Sequence, residues 1–169
     1  TPSAFSSEPN TVPSGPHRGL VVLIEFESPA RTLFTDLTGP ARTGALAWPR
    51  SPGNILSTRT SAGQLAREQA GVPLGDLSQS QADMAVRLVE VYTTEVLPPD
   101  LARTQSARLR GEDSAAIRFA WGGENLDGSI YYRLTGANLF IEFATLRNQP
   151  QHLHAVFHDT ARNFGAHVL

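Results

Sequence analysis

The chain contains no cysteine. That excludes a disulfide framework, a cysteine nucleophile, an iron–sulfur cluster and any thiolate zinc site. Lysine is missing as well, because all 14 basic residues are arginine. A lysine Schiff base and a Walker-type phosphate lysine are therefore ruled out. No run approaches the roughly 18 consecutive apolar residues of a membrane span. G-x-S-x-G, H-E-x-x-H and a glycine-rich phosphate loop do not occur, so the common hydrolase, zincin and nucleotide signatures are absent. A formal charge of −2 provides neither a basic footprint for nucleic acid nor an acidic tail. Any chemistry must come from His, Asp, Glu, Ser, Thr, Tyr, Arg or a bound metal.

A length of 169 residues with 40% apolar content suits one domain with a real core. Residues 1–18 hold four prolines and four serines and are expected to form a flexible arm ahead of a single domain over 19–169. The apolar, β-branched run GLVVLIEFES at 19–28 predicts a buried N-terminal strand. Residues 31–60 are broken by Gly and Pro and predict irregular chain with one short helix. SAGQLAREQAG at 61–71 suits a short helix ended by Gly71. Ser78 and Gln81 make a capping box, followed by Met84, Ala85, Leu88, Val91, Tyr92 and Val96 at helical spacing. Pro98 and Pro99 stop that helix. A shorter one is expected over 99–110 with Leu101 and Leu109 inward.

The period then changes from 3.6 to 2. Residues 115–123, 129–136, 138–146 and 152–159 are strand-like and separated by turn chemistry, with Asp127-Gly128 suited to a tight hairpin. The expected class is α+β: a four-stranded antiparallel C-terminal meander packed on two or three helices, with the N-terminal strand beside it.

Three of the five histidines stand in HLHAVFHD, residues 152–159. Alternation places His152, His154, Val156 and His158 on one face, with Leu153, Ala155 and Phe157 on the other. His-x-His on a strand presents two rings in one direction, within reach of one cation at roughly 2.0–2.1 Å per nitrogen. A third ligand, often a carboxylate, is then needed. Glu142 on the preceding strand is a candidate, because an unpaired carboxylate between Ile141 and Phe143 is costly to bury. If paired positions sum to an even number, Glu142 shares the histidine face. The core pattern favours that register, since Ile141 and Phe143 then lie with Leu153 and Ala155. Metal binding, a metal-free His/Glu acid–base pair and a structural hydrogen-bond network all fit these residues. Trp121, Tyr132, Arg133 and His158 are candidate substrate-binding residues. Arg118 and Arg133 could each clamp a carboxylate or pair with Glu142. Asp159 suits either orienting a histidine or capping a turn.

GVPLGDLSQSQ leading into a helix, then RFAWGG, IYYRLTGANLFIEF and HLHAVFHDTARNFGAHVL, resemble the C-terminal half of the family called domain of unknown function 3500. The resemblance runs over residues 70–169. It implies that Glu142, His152 and His154 occupy the family's polar motif positions, and it supplies no activity. His158 stands where relatives tend to carry arginine, and Arg162-Asn163 replaces a more acidic stretch.

The expected function is that of an enzyme acting on a small molecule through Glu142, His152 and His154. In one form the three bind a divalent metal such as Zn, Fe, Cu or Mn. In another, a histidine and Glu142 act without metal as a lyase, isomerase or cyclase. A non-catalytic ligand-binding module is the alternative. Nucleic acid and membrane partners are not expected. Compartment is left open between the cytoplasm and secretion after removal of a leader.

Overall fold

The computed structural model describes residues 2–94, 96–110, 113–124 and 128–162, with the side chains at 94 and 108–110 outside the description. Strand β1 (Ser3–Ser7) precedes helices α1 (Ile24–Asp36) and α2 (Gly39–Ala45) and strand β2 (Leu46–Trp48). A 3₁₀ turn at Leu56–Thr58, helix α3 (Ala62–Arg67) and strand β3 (Val72–Pro73) follow. Then come α4 (Gln79–Thr94), α5 (Pro99–Arg110), β4 (Arg118–Gly122), β5 (Tyr131–Thr135), β6 (Leu139–Leu146) and β7 (Gln149–Asp159).

The class is α+β, and β4 to β7 pair antiparallel in chain order. The sheet is larger than the expected four strands. Among the described residues it has seven, in the order β1-β7-β6-β5-β4-β2 with β3 also on β4. It is mixed, because β2 runs parallel to β4. Among the described residues no helix is long and apolar enough to cross a membrane.

Two N-terminal expectations are corrected. Residues 1–18 are not simply a flexible arm: Ser3–Ser7 pairs along β7 from Ser3↔Phe157 to Ser7↔Leu153. An edge strand needs backbone partners more than apolar bulk. Here one aromatic is enough, with Phe5 packing 5.8 Å from Phe26 between ring centroids. The chain then forms a small hairpin, with Val12 N–H donating to Leu20 O at 2.9 Å and Gly19 N–H to Val12 O at 2.9 Å. Residues 19–28 are not a strand either. Their second half opens α1, in which Phe26, Ala30, Leu33 and Phe34 are buried. That spacing is helical, but it emerges only when the window runs past Pro29. The segment 31–60, expected to be irregular, holds the end of α1, then α2, β2 and the 3₁₀ turn.

The later helices follow their caps. Gln81 N–H donates to Ser78 Oγ at 3.4 Å, and Gln81 Oε1 accepts from Ser78 N–H at 3.1 Å. The same box starts α3 through Ser61 and Gln64. That helix stops at Arg67, four residues before Gly71. Gly71 has a different task. At φ +93° it lets the chain pass β4 so closely that a Cβ would lie 2.2 Å from Phe119 O. In α5, Ala102 and Ser106 face inward, and Leu101, expected to, is 58% exposed. The Leu109 side chain and the turn at Asp127 lie outside the described residues.

Sheet parity divides the protein into two layers. Phe119, Trp121, Tyr132, Leu134, Ile141, Phe143, Leu153 and Ala155 share one face and form the main core with α1 and α4. Each large side chain so buried contributes about 1.5–3 kcal/mol. Phe34 stacks on Trp121 at 4.7 Å and Tyr132 on Phe143 at 5.2 Å. The other face carries Arg118, Tyr131, Arg133, Glu142 and the histidines. Segment 46–71 crosses it, with Leu65 and Ala62 packing on Phe140.

Candidate functional site

The β6–β7 ladder has the even register: Phe140↔His158, Glu142↔Val156 and Ala144↔His154. Glu142 therefore shares a face with His154 and His158. It opposes Val156 directly and His154 only on the diagonal. On its other side it pairs with Arg133.

Glu142 is fully buried. Its Oε1 accepts from Leu56 N–H at 2.6 Å and from the Tyr131 hydroxyl at 2.6 Å. Its Oε2 accepts from Ser57 N–H at 3.1 Å. Two backbone donors at the 3₁₀ turn and one phenol thus converge on two oxygens, which compensates the buried charge. Burial and then the Glu142 charge hold the Tyr131 phenol far above its ordinary range, so it remains a donor. Arg133 donates from Nε to Tyr131 Oη at 2.9 Å, and from Nη1 to Leu65 O at 3.0 Å and Glu68 Oε2 at 2.9 Å. Burial opposes its charge, but Tyr131, Glu68 and Glu142 outweigh that. Trp48 lies 4.9 Å from its guanidinium carbon and Phe140 5.6 Å.

The histidine pair stands at the edge of this network. The rings of His152 and His154 meet edge-to-face with centroids 4.9 Å apart. His154 Nδ1 lies 2.8 Å from Asn54 Oδ1. That oxygen also accepts from Ile55 N–H at 2.7 Å, which fixes the Asn54 amide with its oxygen toward the ring. His154 Nδ1 must then donate, and in the neutral ring Nε2 carries the lone pair. His152 Nδ1 likewise faces acceptors only, Glu8 Oε2 at 3.0 Å and Gln149 Oε1 at 3.3 Å. Burial, followed by the nearby His152, lowers the His154 pKa below its ordinary value. Burial also lowers that of His158, against the pull of Glu142.

The structure brings Glu142, His152 and His154 to one face without gathering them around a common point. Among the described residues, no group of three or more His, Asp or Glu side chains could hold a metal ion. Glu142 is committed to the 3₁₀ turn and Tyr131. Of the expected substrate-binding residues, Arg133 lies on this face, in the hydrogen-bond network with Tyr131. His158 is nearly buried on the same face, edge-on to Phe140 at 5.6 Å. Trp121 and Tyr132 do not line it. Parity sends both into the core, where Trp121 Nε1 donates to Gly123 O at 2.8 Å. Tyr132 Oη there donates to Phe26 O at 2.6 Å and lies 2.6 Å from Tyr92 Oη. Asp159 pairs with Leu139 on the apolar side, and its carbonyl accepts from Arg162 N–H at 3.1 Å, a turn role.

Several members had no sequence signal. Asn54, Glu68 and Trp48 lie in the Gly- and Pro-broken stretch and its flank. Tyr131, not the expected Tyr132, is the site tyrosine; the signal for it is alternation, because a residue two before Arg133 on one strand shares its face.

A family model described as "Protein of unknown function (DUF3500)" matches residues 1–166. The chain belongs to the DUF3500 family. The match extends the resemblance well beyond residues 70–169, so β1, α1 and the covering segment are part of the DUF3500 unit together with the sheet. No curated protein and no solved structure matches the chain.

Proposed function

We propose that this chain acts on a small molecule by general base catalysis, with His154 as the base and no metal. The observation that carries this is the 2.8 Å contact between His154 Nδ1 and Asn54 Oδ1. It holds the imidazole in one tautomer, with the lone pair on Nε2. The lowered pKa keeps the ring neutral near pH 7, the form that can accept a proton. In the reaction Nε2 takes a proton from a substrate C–H or O–H, and Asn54 keeps the resulting imidazolium oriented. His152 is the neighbouring group that can donate or accept in return. Such a pair suits a lyase, isomerase or cyclisation. Glu142 serves by holding the covering turn in place, not by touching the substrate.

A second reading is favoured by the His152–His154 pair itself. Both rings are oriented through Nδ1 by oxygen partners, the outer arrangement usual for metal-ligating histidines. Two Nε2 atoms would hold a divalent cation, with further ligands from water or substrate.

Wild-type protein and His154→Gln, screened side by side against a library of small metabolites with turnover followed by NMR, test both. The expected result is a compound consumed by the wild type, untouched by His154→Gln and insensitive to chelator. Turnover lost on chelation and restored by Zn²⁺ or Mn²⁺ favours the metal reading. Turnover that persists in His154→Gln removes His154 from the site.

A further inference from the structure

Arg133 is 1% exposed and only partly satisfied. Its Nε and Nη1 are engaged, but Nη2 is buried without a hydrogen-bond partner. A buried charged donor left unmade is costly, and a native fold retains one for a reason. The guanidinium is a planar fork that matches the two oxygens of a carboxylate. The carboxylate now present, that of Glu68, meets it through Nη1 alone. The Glu68 side chain is 50% exposed.

A second guanidinium lies close by on the same face. Arg118 pairs with Thr135, two residues along β5 from Arg133. Its Nη2 donates to Gly71 O at 2.6 Å, while its Nε is buried without a partner. One stretch of chain supplies all three caps: Leu65 O and Glu68 on Arg133, and Gly71 O on Arg118. Trp48 and Phe140 flank the Arg133 fork; Phe140 is covered by α3, and the half-buried Trp48 offers an apolar wall.

We infer that Arg133 is the anchor for a carboxylate-bearing small molecule with an apolar body, and that Glu68 occupies the anchor as a displaceable stand-in. Exchanging one carboxylate for another leaves the charge facing Arg133 unchanged. The exchange swaps a one-point contact for a two-point one, which satisfies Nη2. An apolar ligand body then lies against Trp48, which is half-buried. The inference rests on the covered sheet face being the small-molecule site, and it gives that site a substrate class.

The test is titration of the whole chain with benzoate by calorimetry at constant ionic strength, with chloride as reference. The Arg133 Nε–Hε resonance is followed by NMR. Benzoate, and not chloride, is expected to shift that resonance. Glu68→Gln weakens the internal competitor while keeping Arg133 and the fold. It is expected to bind benzoate about tenfold tighter, equivalent to about 1.4 kcal/mol. No response in either protein, or equal affinity in both, overturns the inference. His154→Gln is titrated in parallel and is expected to bind benzoate as the wild type does. Benzoate binding with no His154-dependent turnover in the metabolite screen would therefore sink the base assignment alone. His154-dependent turnover without benzoate binding would sink the carboxylate anchor alone.

Discussion

The Tyr131 hydroxyl donates to Glu142 Oε1 at 2.6 Å, and its oxygen accepts from Arg133 Nε at 2.9 Å. One phenol thus links the buried anion to the buried cation on the neighbouring strand. Tyr131→Phe deletes both bonds and nothing else of size. It should cost about 2–3 kcal/mol, since both partners are charged and buried. Urea unfolding measures this, and a loss under about 0.5 kcal/mol would show that the two charges do not depend on Tyr131.

Glu142 ties β6 to the turn at Leu56–Thr58 across the covered face. Glu142→Gln places an amide NH₂ against groups that are themselves donors, and leaves Arg133 with less compensation. A loss of about 3–5 kcal/mol is expected. Hydrogen exchange gives a local readout, because the amides of Leu56 and Ser57 should exchange faster than their neighbours. Unchanged protection there would mean that the turn is held by other contacts.

The sheet was legible because its information is periodic. Alternation around Ile141 and Phe143 was enough to set the β6–β7 register, and the cost of burying Glu142 correctly implied a partner. The partner's identity was not legible. It proved to be two backbone amides and a tyrosine, and backbone donors carry no side-chain signature. The N-terminal third misled for a related reason. GLVVLI has strand composition, yet tertiary packing of Phe26, Ala30, Leu33 and Phe34 makes the residues after it a helix. Ser3–Ser7 has little apolar content, yet it gains a complete ladder from β7.

Acid should weaken the fold through His154 and His158. Burial lowers both pKa values in the folded state, so the unfolded chain binds protons more readily than the native one. That contribution to stability is fully present above the ordinary histidine pKa of about 6.5. It falls away as pH drops through that value toward the lower folded pKa values. Denaturant midpoints measured between pH 5 and pH 7.5 should rise with pH. In His154→Gln the rise should be shallower; an equal slope would mean that His154 titrates alike in both states.

Gly71 should tolerate no side chain. Its φ of +93° disfavours one, and an alanine Cβ would meet Phe119 O at 2.2 Å, a backbone atom that cannot swing away. Gly71→Ala should therefore cost more than about 4 kcal/mol or prevent folding. Gly63, where a Cβ meets nothing within 4 Å, is the control, and Gly63→Ala in α3 should be neutral or stabilise by up to about 1 kcal/mol. Thermal unfolding of the two variants side by side decides it.

The protonation state of the His154 ring can be read directly. Long-range ¹H–¹⁵N NMR of the histidine side chains at pH 7 reports which imidazole nitrogen carries the proton. His154 is expected to be neutral, with the proton on Nδ1 and a bare Nε2, and to lose that preference in Asn54→Ala. A proton on Nε2 in the wild type, or an imidazolium at pH 7, would contradict it.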